Sequence, residues 1–307
     1  MSYKYALSRC KVRDKESLKK FRQLRSDWID WLHGPIRDEI TYMMLDDALY
    51  RTLNEAIGLS IKEPRKSAEF NGLVSQLIDR GYVHIQLMSI RKLVSRRKSD
   101  ISLHTLLTDI RRNRKLITRE NYVCYDGLPY DYEPLRLKDL EKRLEASGGK
   151  AVTWSSPTTG PRAYGSSERH HNSFDRLSGV GPELRCRDDQ LLNHIFSDLF
   201  DALKDCEEIE RAASENIAHI PSRKIDSRDL ITLGNIEKAQ RTVCWVAHLI
   251  DGPLLCESSS SIVPIPQYGF LQGLDKAWAT PSRLPHLYRF WESHTQEVEK
   301  WTDGDWP

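Results

Sequence analysis

Apolar residues recur at helical spacing along most of the chain, and this pattern predicts an all-α protein. Asp14 and Ser102 precede two of the periodic segments and are predicted N-caps, because their side-chain oxygens can accept hydrogen bonds from free backbone N–H groups. Gly34 and Pro35 are predicted to end the first helix. The predicted helices span 17–32, 38–57, 68–94, a short segment after Ser102, 135–146, 188–215, 229–249 and 284–301. Together they favour an elongated up-and-down helical bundle with additional helices.

The second and third predicted helices each carry a stripe of apolar side chains, which predicts the face that each helix buries. The stripes consist of Tyr42, Leu45, Leu49 and Leu53 in one helix and of Phe70, Leu73, Val74 and Leu77 in the other. No segment alternates apolar and polar residues convincingly, as a strand would, and we find no internal repeat of fixed period.

Residues 148–187 interrupt the helical pattern, because they are rich in Gly, Ser, Pro and Thr. They predict a long loop inserted in the bundle, which is either disordered, a family-specific insertion, or a lid or partner-binding segment. His170 and His171 lie there, but two adjacent histidines without nearby acidic or thiol ligands are a weak metal motif, so we assign no metal. The predicted organisation is N-terminal bundle helices over 1–147, the insertion over 148–187, C-terminal bundle helices over 188–250 and an aromatic extension over 251–307.

The composition is that of a folded, well-solvated protein, with 29% charged and 39% hydrophobic residues. The first residues lack the apolar core of a signal peptide, and no stretch approaches the ~20 apolar residues of a membrane span. The six cysteines are scattered without a CxxC pair, which indicates reduced, mostly structural thiols. The sequence motifs of phosphate loops, dinucleotide-binding turns, zinc proteases and nucleophile elbows are missing. We therefore expect a cytoplasmic protein with no cofactor and no membrane segment.

Charge is distributed unevenly along the chain, although the net charge is only +2. Residues 91–115 hold nine Lys and Arg against two Asp, whereas residues 188–215 hold nine Asp and Glu against two Lys and Arg. One interpretation is that basic and acidic helices lie side by side or face solvent; the other is that the basic segment binds a nucleic-acid backbone. The candidate nucleic-acid contacts are Arg96, Arg97, Lys98, Arg111, Arg112 and Arg114.

Two pairs of short segments carry a resemblance to a known family. The first pair is 83–93 (VHIQLMSIRKL) with 101–107 (ISLHTLL), and the second is 214–219 (SENIAH) with 232–233 (TL). In this order they resemble the HEPN superfamily, in particular the U-type branch of abortive-infection phage-defence proteins, over roughly residues 15–250. The resemblance implies a helical bundle that commonly dimerises and, in many members, a metal-independent endoribonuclease of a toxin–antitoxin or phage-defence system.

The family motif places an Arg before an Asn or Asp and ends on Ala-His, and this chain matches it only in part. Ala218 and His219 fit, but Ala213 stands where the motif has its arginine. The resemblance implies that His219 would be the general base, with Arg211 or Asn216 assisting. A histidine two residues before Pro221 can also simply bond to the free carbonyls of a helix end.

Two functions therefore remain open. The first is a dimeric, metal-independent endoribonuclease with a degenerate active site, in which residues 91–115 hold the RNA. The second is a non-catalytic HEPN-like scaffold, sensor or partner subunit that binds another protein of a defence system. Other Arg and His pairs at similar spacing, such as Arg97 with His104, are about as frequent as chance predicts, so the spacing alone does not distinguish the two.

Overall fold

A computed structural model describes residues 3–62, 72–148, 157–217, 231–257, 262–263, 281–299 and 301. The chain divides into two compact units, residues 1–266 and residues 267–307. Throughout these described ranges the regular structure is helical, which confirms the predicted all-α class. The first unit contains α1 (Lys15–Trp31), α2 (Arg37–Lys62), α3 (Gly72–Val94), α4 (Leu103–Arg112), α5 (Arg119–Cys124), α6 (Tyr132–Ala146), α7 (Tyr164–Ser178), α8 (Asn193–Lys204), α9 (Glu207–Ala212) and α10 (Leu233–Leu249). The second unit contains α11 (Leu284–Glu299), where the aromatic helix was predicted.

The centre of the first unit is formed by α3 and α10, which pack against each other. Helices α2, α4 and α9 contact α3, helix α8 contacts α10, and α1 lies against α4 and α5. The residues at the centre of this core are fully buried, including Ile90, Leu106, Phe196 and Val243. Each such side chain contributes about 1.5–3 kcal/mol by leaving water, so the core is held mainly by the apolar positions of these helices.

Both predicted N-caps are confirmed. The Oδ1 atom of Asp14 accepts hydrogen bonds from the backbone N–H groups of Glu16 and Ser17 at 3.0 and 2.9 Å. The hydroxyl of Ser102 accepts one from the backbone N–H of Thr105 at 3.1 Å. These contacts fix the starts of α1 and α4 near the predicted positions.

The chain changes direction at two π-helical turns that share a sequence pattern. We name them the first elbow (Leu32–Ile36, LHGPI) and the second elbow (Ile250–Leu254, IDGPL). Gly34 and Pro35 therefore do not end the first helix in a loop; instead Gly34 kinks it, with φ −96° and ψ −110°, and α2 follows at once. The second residues of the two elbows meet, since His33 Nε2 lies 2.7 Å from Asp251 Oδ1. The two elbows are a single pair of similar five-residue segments far apart in the sequence, so they do not form a repeat of fixed period.

A two-helix arm extends from the core where the sequence predicts buried stripes. In this arm, residues 48–59 of α2 and 72–81 of α3, no residue is buried. Tyr42, Leu73 and Leu77 are 64%, 74% and 63% exposed. The predicted burial is therefore wrong for these side chains. Leu73 and Leu77 lie in the arm, which extends beyond the core, whereas Tyr42 lies before the arm on an exposed side of α2; Phe70 is outside the described residues.

The predicted loop over 148–187 is wrong for residues 164–178, which form α7. The buried side of this helix consists largely of small polar residues and histidines, and it packs against α5 and α6. Those buried residues include Ser166, Ser167, His170, His171, Ser173, Phe174 and Leu177. A hydrophobicity pattern does not register a buried serine, so the helical period of this segment is invisible to it.

We expect Gly127→Ala to destabilise the protein by at least about 2 kcal/mol. Gly127 has a φ of +78°, which costs an L-residue about 1–2 kcal/mol, and an added Cβ would lie 2.2 Å from Cδ1 of Tyr5. The matched control is Gly81→Ala within α3, where a Cβ meets nothing within 4 Å and should stabilise the helix by about 0.5–1 kcal/mol. Denaturant unfolding checks both variants, and equal shifts would contradict the assignment of the Gly127 backbone.

Within the described ranges, no helix combines the length and the apolar character that crossing a membrane requires.

Candidate nucleic-acid interface

A groove of about 360 Å³ lies where the end of α3 and helix α4 meet α8 and α9. We name it the basic groove. It exists because α4 packs against α8 through apolar residues, which leaves the polar edges of both helices facing each other. Its chemically informative lining residues are Arg96, His104, Arg111, Phe200, Lys204 and Glu210. Two of the six predicted nucleic-acid contacts, Arg96 and Arg111, thus share one groove.

An aromatic ring forms the floor of the basic groove. The guanidinium carbon of Arg111 lies 4.7 Å from the centre of the Phe200 ring, as in a cation–π contact. The imidazole of His104 lies against the same ring, with 5.0 Å between centroids. Phe200 therefore holds a cation and a titratable ring side by side, in a groove that also offers an aromatic surface to a nucleobase.

His104 is positioned to act as a base at neutral pH. Burial lowers its pKa below the ordinary value, and the positive charges of Arg96 and Arg111 lower it further. Both effects lower the pKa because they disfavour the protonated, positively charged ring. The imidazole is therefore mainly neutral at pH 7 and can accept a proton.

Four of the predicted cations are available to a ligand. Arg97, Lys98, Arg111 and Arg112 are exposed, and among the residues that the structure describes none of them has a carboxylate partner. The two other predicted contacts are engaged, since Arg96 forms an ion pair with Glu207 and Arg114 donates to Oδ1 of Asn193.

The acidic segment lies directly beside the basic one. Asp201 and Glu210 also line the basic groove, and Asp201 accepts from Nζ of Lys204 at 2.7 Å. The basic and acidic helices are therefore neighbours, as the first interpretation of the charge pattern states. The four unpaired cations leave an excess of positive charge next to the groove, as the second interpretation requires.

The residues of the HEPN-like motif fall in and after α9. Ala213 is fully buried, so the position where the family has its arginine faces the core. Arg211 is exposed on α9, and its neighbour Glu210 faces the basic groove. Asn216 belongs to a π-helical turn (Ala213–Ile217), and its side chain is outside the description, as is the whole of His219. The predicted grouping of His219, Arg211 and Asn216 stays a prediction.

Sequence reasoning missed His104 and Phe200 as parts of a site. Arg97 and His104 have a spacing similar to that of the family's Arg and His pair, but several such pairs are expected by chance. Phe200 comes from a helix distant in sequence, so only the packing of α4 on α8 reveals the contact. The sequence did contain one signal for this site: His104 lies in the first turn of α4, and the same helix ends on Arg111 and Arg112.

His170 and His171 are buried, and among the residues that the structure describes the Nδ1 atoms of both lack a hydrogen-bond partner. In the part of the chain that the structure describes, no three His, Cys, Asp or Glu side chains are grouped as metal ligands would be.

No family model, curated protein or solved structure matches this chain. The candidate site is therefore defined by its own geometry.

Proposed function

We propose that this protein is a HEPN-like phage-defence or toxin-type endoribonuclease that binds RNA in the basic groove and cleaves it without a metal ion in the cytoplasm. The observation that supports the proposal best is His104, a largely neutral imidazole that shares the Phe200 ring with Arg111 and has Arg96 in the same groove. This arrangement supplies a base together with the cation that the HEPN-like motif lacks at Ala213.

The chemistry needs only these groups. His104 takes the proton of a ribose 2′-hydroxyl while the 2′-oxygen attacks the adjacent phosphorus. The new P–O2′ bond forms as the P–O5′ bond breaks, and the leaving 5′-oxygen takes a proton from the imidazolium or from water. Arg111 stabilises the negative charge that develops on the phosphate, because a guanidinium donates two parallel hydrogen bonds to phosphate oxygens. Arg97, Lys98 and Arg112 hold the neighbouring phosphates.

A defined cleavage assay tests this function. The purified full chain is incubated with labelled single-stranded RNA and with tRNA, in EDTA and in magnesium. We expect strand cleavage in both buffers, because no step of the mechanism uses a metal. Intact RNA under both conditions would refute the catalytic proposal.

We also propose that the protein forms a homodimer through the two-helix arm. The arm exposes Leu49, Leu59, Leu73 and Leu77, and a second arm could cover them in a four-helix arrangement. Light scattering should give twice the 35.6 kDa of the chain, and Leu73→Glu with Leu77→Glu should give the monomer mass.

A second candidate function is a non-catalytic subunit that binds a partner protein of a defence system. The burial of Ala213 favours it, because the family's catalytic position has no room for an arginine here. Copurification with the product of a neighbouring gene, together with RNA that stays intact, would support this alternative. RNA cleavage abolished by substituting His104 would exclude it.

A further inference from the structure

A second and larger cleft lies between α7 and the second elbow. Its volume is about 750 Å³, within the usual range of small-molecule sites, which is about 300–1,000 Å³. We name it the α7 cleft; its polar lining residues include Arg169, His170, Arg176, His248 and Glu257. None of these residues lines the basic groove, so the α7 cleft is a separate site.

Two arginines of α7 face this cleft without a carboxylate partner. Arg169 and Arg176 are seven residues apart, which on an α-helix is a rotation of only about 20° and a rise of about 10.5 Å. Arg169 donates to the hydroxyl of Ser166 at 3.1 Å, and neither guanidinium forms an ion pair within the described ranges. By contrast, Arg185 and Arg119 both bind Asp175 of the same helix. The two arginines of the cleft are therefore available to an anion.

The nearly buried side chain of His170 forms part of the wall of the α7 cleft. His170 is 7% exposed, and its Nδ1 atom has no hydrogen-bond partner among the described residues. Its ring stacks on Tyr125, with 5.3 Å between centroids. The Nδ1 atom is itself shielded from solvent, so His170 shapes the cleft and the arginines supply its hydrogen-bond donors.

The other polar residues of the cleft leave its positive charge in place. Glu257 accepts a hydrogen bond from Nη2 of the buried Arg25 at 2.7 Å, so its negative charge is compensated within the protein. Cys256 also lines the cleft, but burial raises the pKa of its thiol. A protonated thiol is a poor nucleophile, which favours reversible binding over covalent chemistry.

An apolar extension continues from the cleft. A cavity of about 210 Å³ shares Leu177, Ile195 and Leu249 with the α7 cleft and is also lined by Trp245. The Trp245 side chain is 49% exposed, so its ring is accessible for stacking. An occupant of both cavities thus needs an anionic part and a flat or apolar part.

We propose that the α7 cleft binds a nucleotide, with its phosphates on Arg169 and Arg176 and its base against Trp245. Phosphate oxygens match guanidinium donors, and an aromatic base matches the indole ring. This site goes beyond RNA cleavage, because it would let a small molecule occupy the protein independently of the basic groove.

Calorimetric titration of the full chain tests the proposal. The probes are the four ribonucleoside 5′-monophosphates, the four triphosphates, adenosine and inorganic phosphate. We expect at least one nucleotide to bind with a Kd below about 1 mM, and adenosine and phosphate to bind more than about tenfold more weakly. The double variant Arg169→Ala with Arg176→Ala should weaken nucleotide binding by at least about tenfold. Trp245→Ala should weaken it as well, while Trp245→Phe should retain it.

Two controls separate this site from the basic groove. Arg80→Ala, an exposed arginine of the arm, should bind the nucleotide like the wild type, and so should Arg111→Ala with Arg112→Ala. The proposal is overturned if no nucleotide binds, if the Arg169 and Arg176 double variant binds as tightly as the wild type, or if the Arg111 and Arg112 variant loses binding. Inorganic phosphate that binds as tightly as the nucleotides would show a bare anion site and would overturn the nucleotide assignment.

Discussion

Replacing His104 with alanine is expected to lower the rate of RNA cleavage by about 10²- to 10⁴-fold, the usual contribution of a positioned general base. The side chain lies at the edge of the core, so the fold should tolerate its loss. Binding of uncleavable RNA should change little, because the unpaired cations around the groove remain. A loss of rate with retained binding identifies a residue that acts on the reaction rather than on affinity.

The pH dependence of cleavage gives the same residue a second signature. The pKa of His104 is lowered by burial and by Arg96 and Arg111, so the imidazole loses its proton below its ordinary pKa. The rate should therefore rise with pH through the acidic range and be level at pH 7, where the base is neutral. His286→Ala, an exposed histidine of α11, is the matched control and should retain the full rate. If His104→Ala cleaves RNA at the wild-type rate, the assignment of the base is wrong.

Arg119→Ala should cause the largest loss of stability, about 3–5 kcal/mol. The guanidinium of Arg119 is fully buried, where it binds Asp175 at 2.5 Å and Asp189 at 2.7 Å and donates to the hydroxyl of Ser178. Removing it leaves a cavity and takes away the ion-pair partner of Asp189, whose side chain is only 12% exposed, while Asp175 keeps its ion pair with Arg185. These contacts connect α5, α7 and the segment before α8, so the loss should affect the whole first unit.

Thermal unfolding measures this effect against a matched variant. Arg136 of α6 pairs with Glu168 of α7, but both side chains are about 40% exposed, so Arg136→Ala should change stability by no more than about 0.5 kcal/mol. For a unit of this size, the loss expected for Arg119→Ala lowers the Tm by about 6–20 °C. Melting temperatures that agree within error between the two variants would show that the buried network is not required.

The parts of the fold that depend on local signals could be predicted from the sequence. The N-caps at Asp14 and Ser102 and the helices that follow them depend on short-range hydrogen bonds and on apolar spacing. Helix α7 could not be predicted in this way, because the residues on its buried side, such as Ser167 and His171, are polar. Polar side chains are buried there because partners distant in sequence bond to them. The hydroxyl of Ser167 donates to the carbonyl of Pro129, and Nε2 of His171 lies 2.9 Å from the carbonyl oxygen of Tyr130. No local pattern reveals these contacts.

The candidate site was predictable only in its charge. The excess of Lys and Arg over residues 91–115 indicated the basic side, and Arg97, Lys98, Arg111 and Arg112 are indeed free of carboxylate partners in the described structure. The sequence could not show that Phe200 would lie under Arg111 and His104. The sequence likewise could not show that Ala213 is buried. This motif position, where the family has its arginine, therefore does not face the basic groove.

The central claim is that the exposed cations in and beside the basic groove bind an RNA backbone, and the salt dependence of RNA binding tests it most directly. The affinity for labelled single-stranded RNA is measured against salt concentration for the wild type, for a variant with Arg97, Lys98, Arg111 and Arg112 replaced by alanine, and for a control with Lys19, Lys20, Lys138 and Lys142 replaced. The control removes the same number of exposed charges from α1 and α6. We expect the first variant to lose at least about tenfold in affinity and to show a salt slope reduced by about 0.7 for each lost phosphate contact, with the control close to wild type. Equal affinities and slopes for the two variants would contradict the claim.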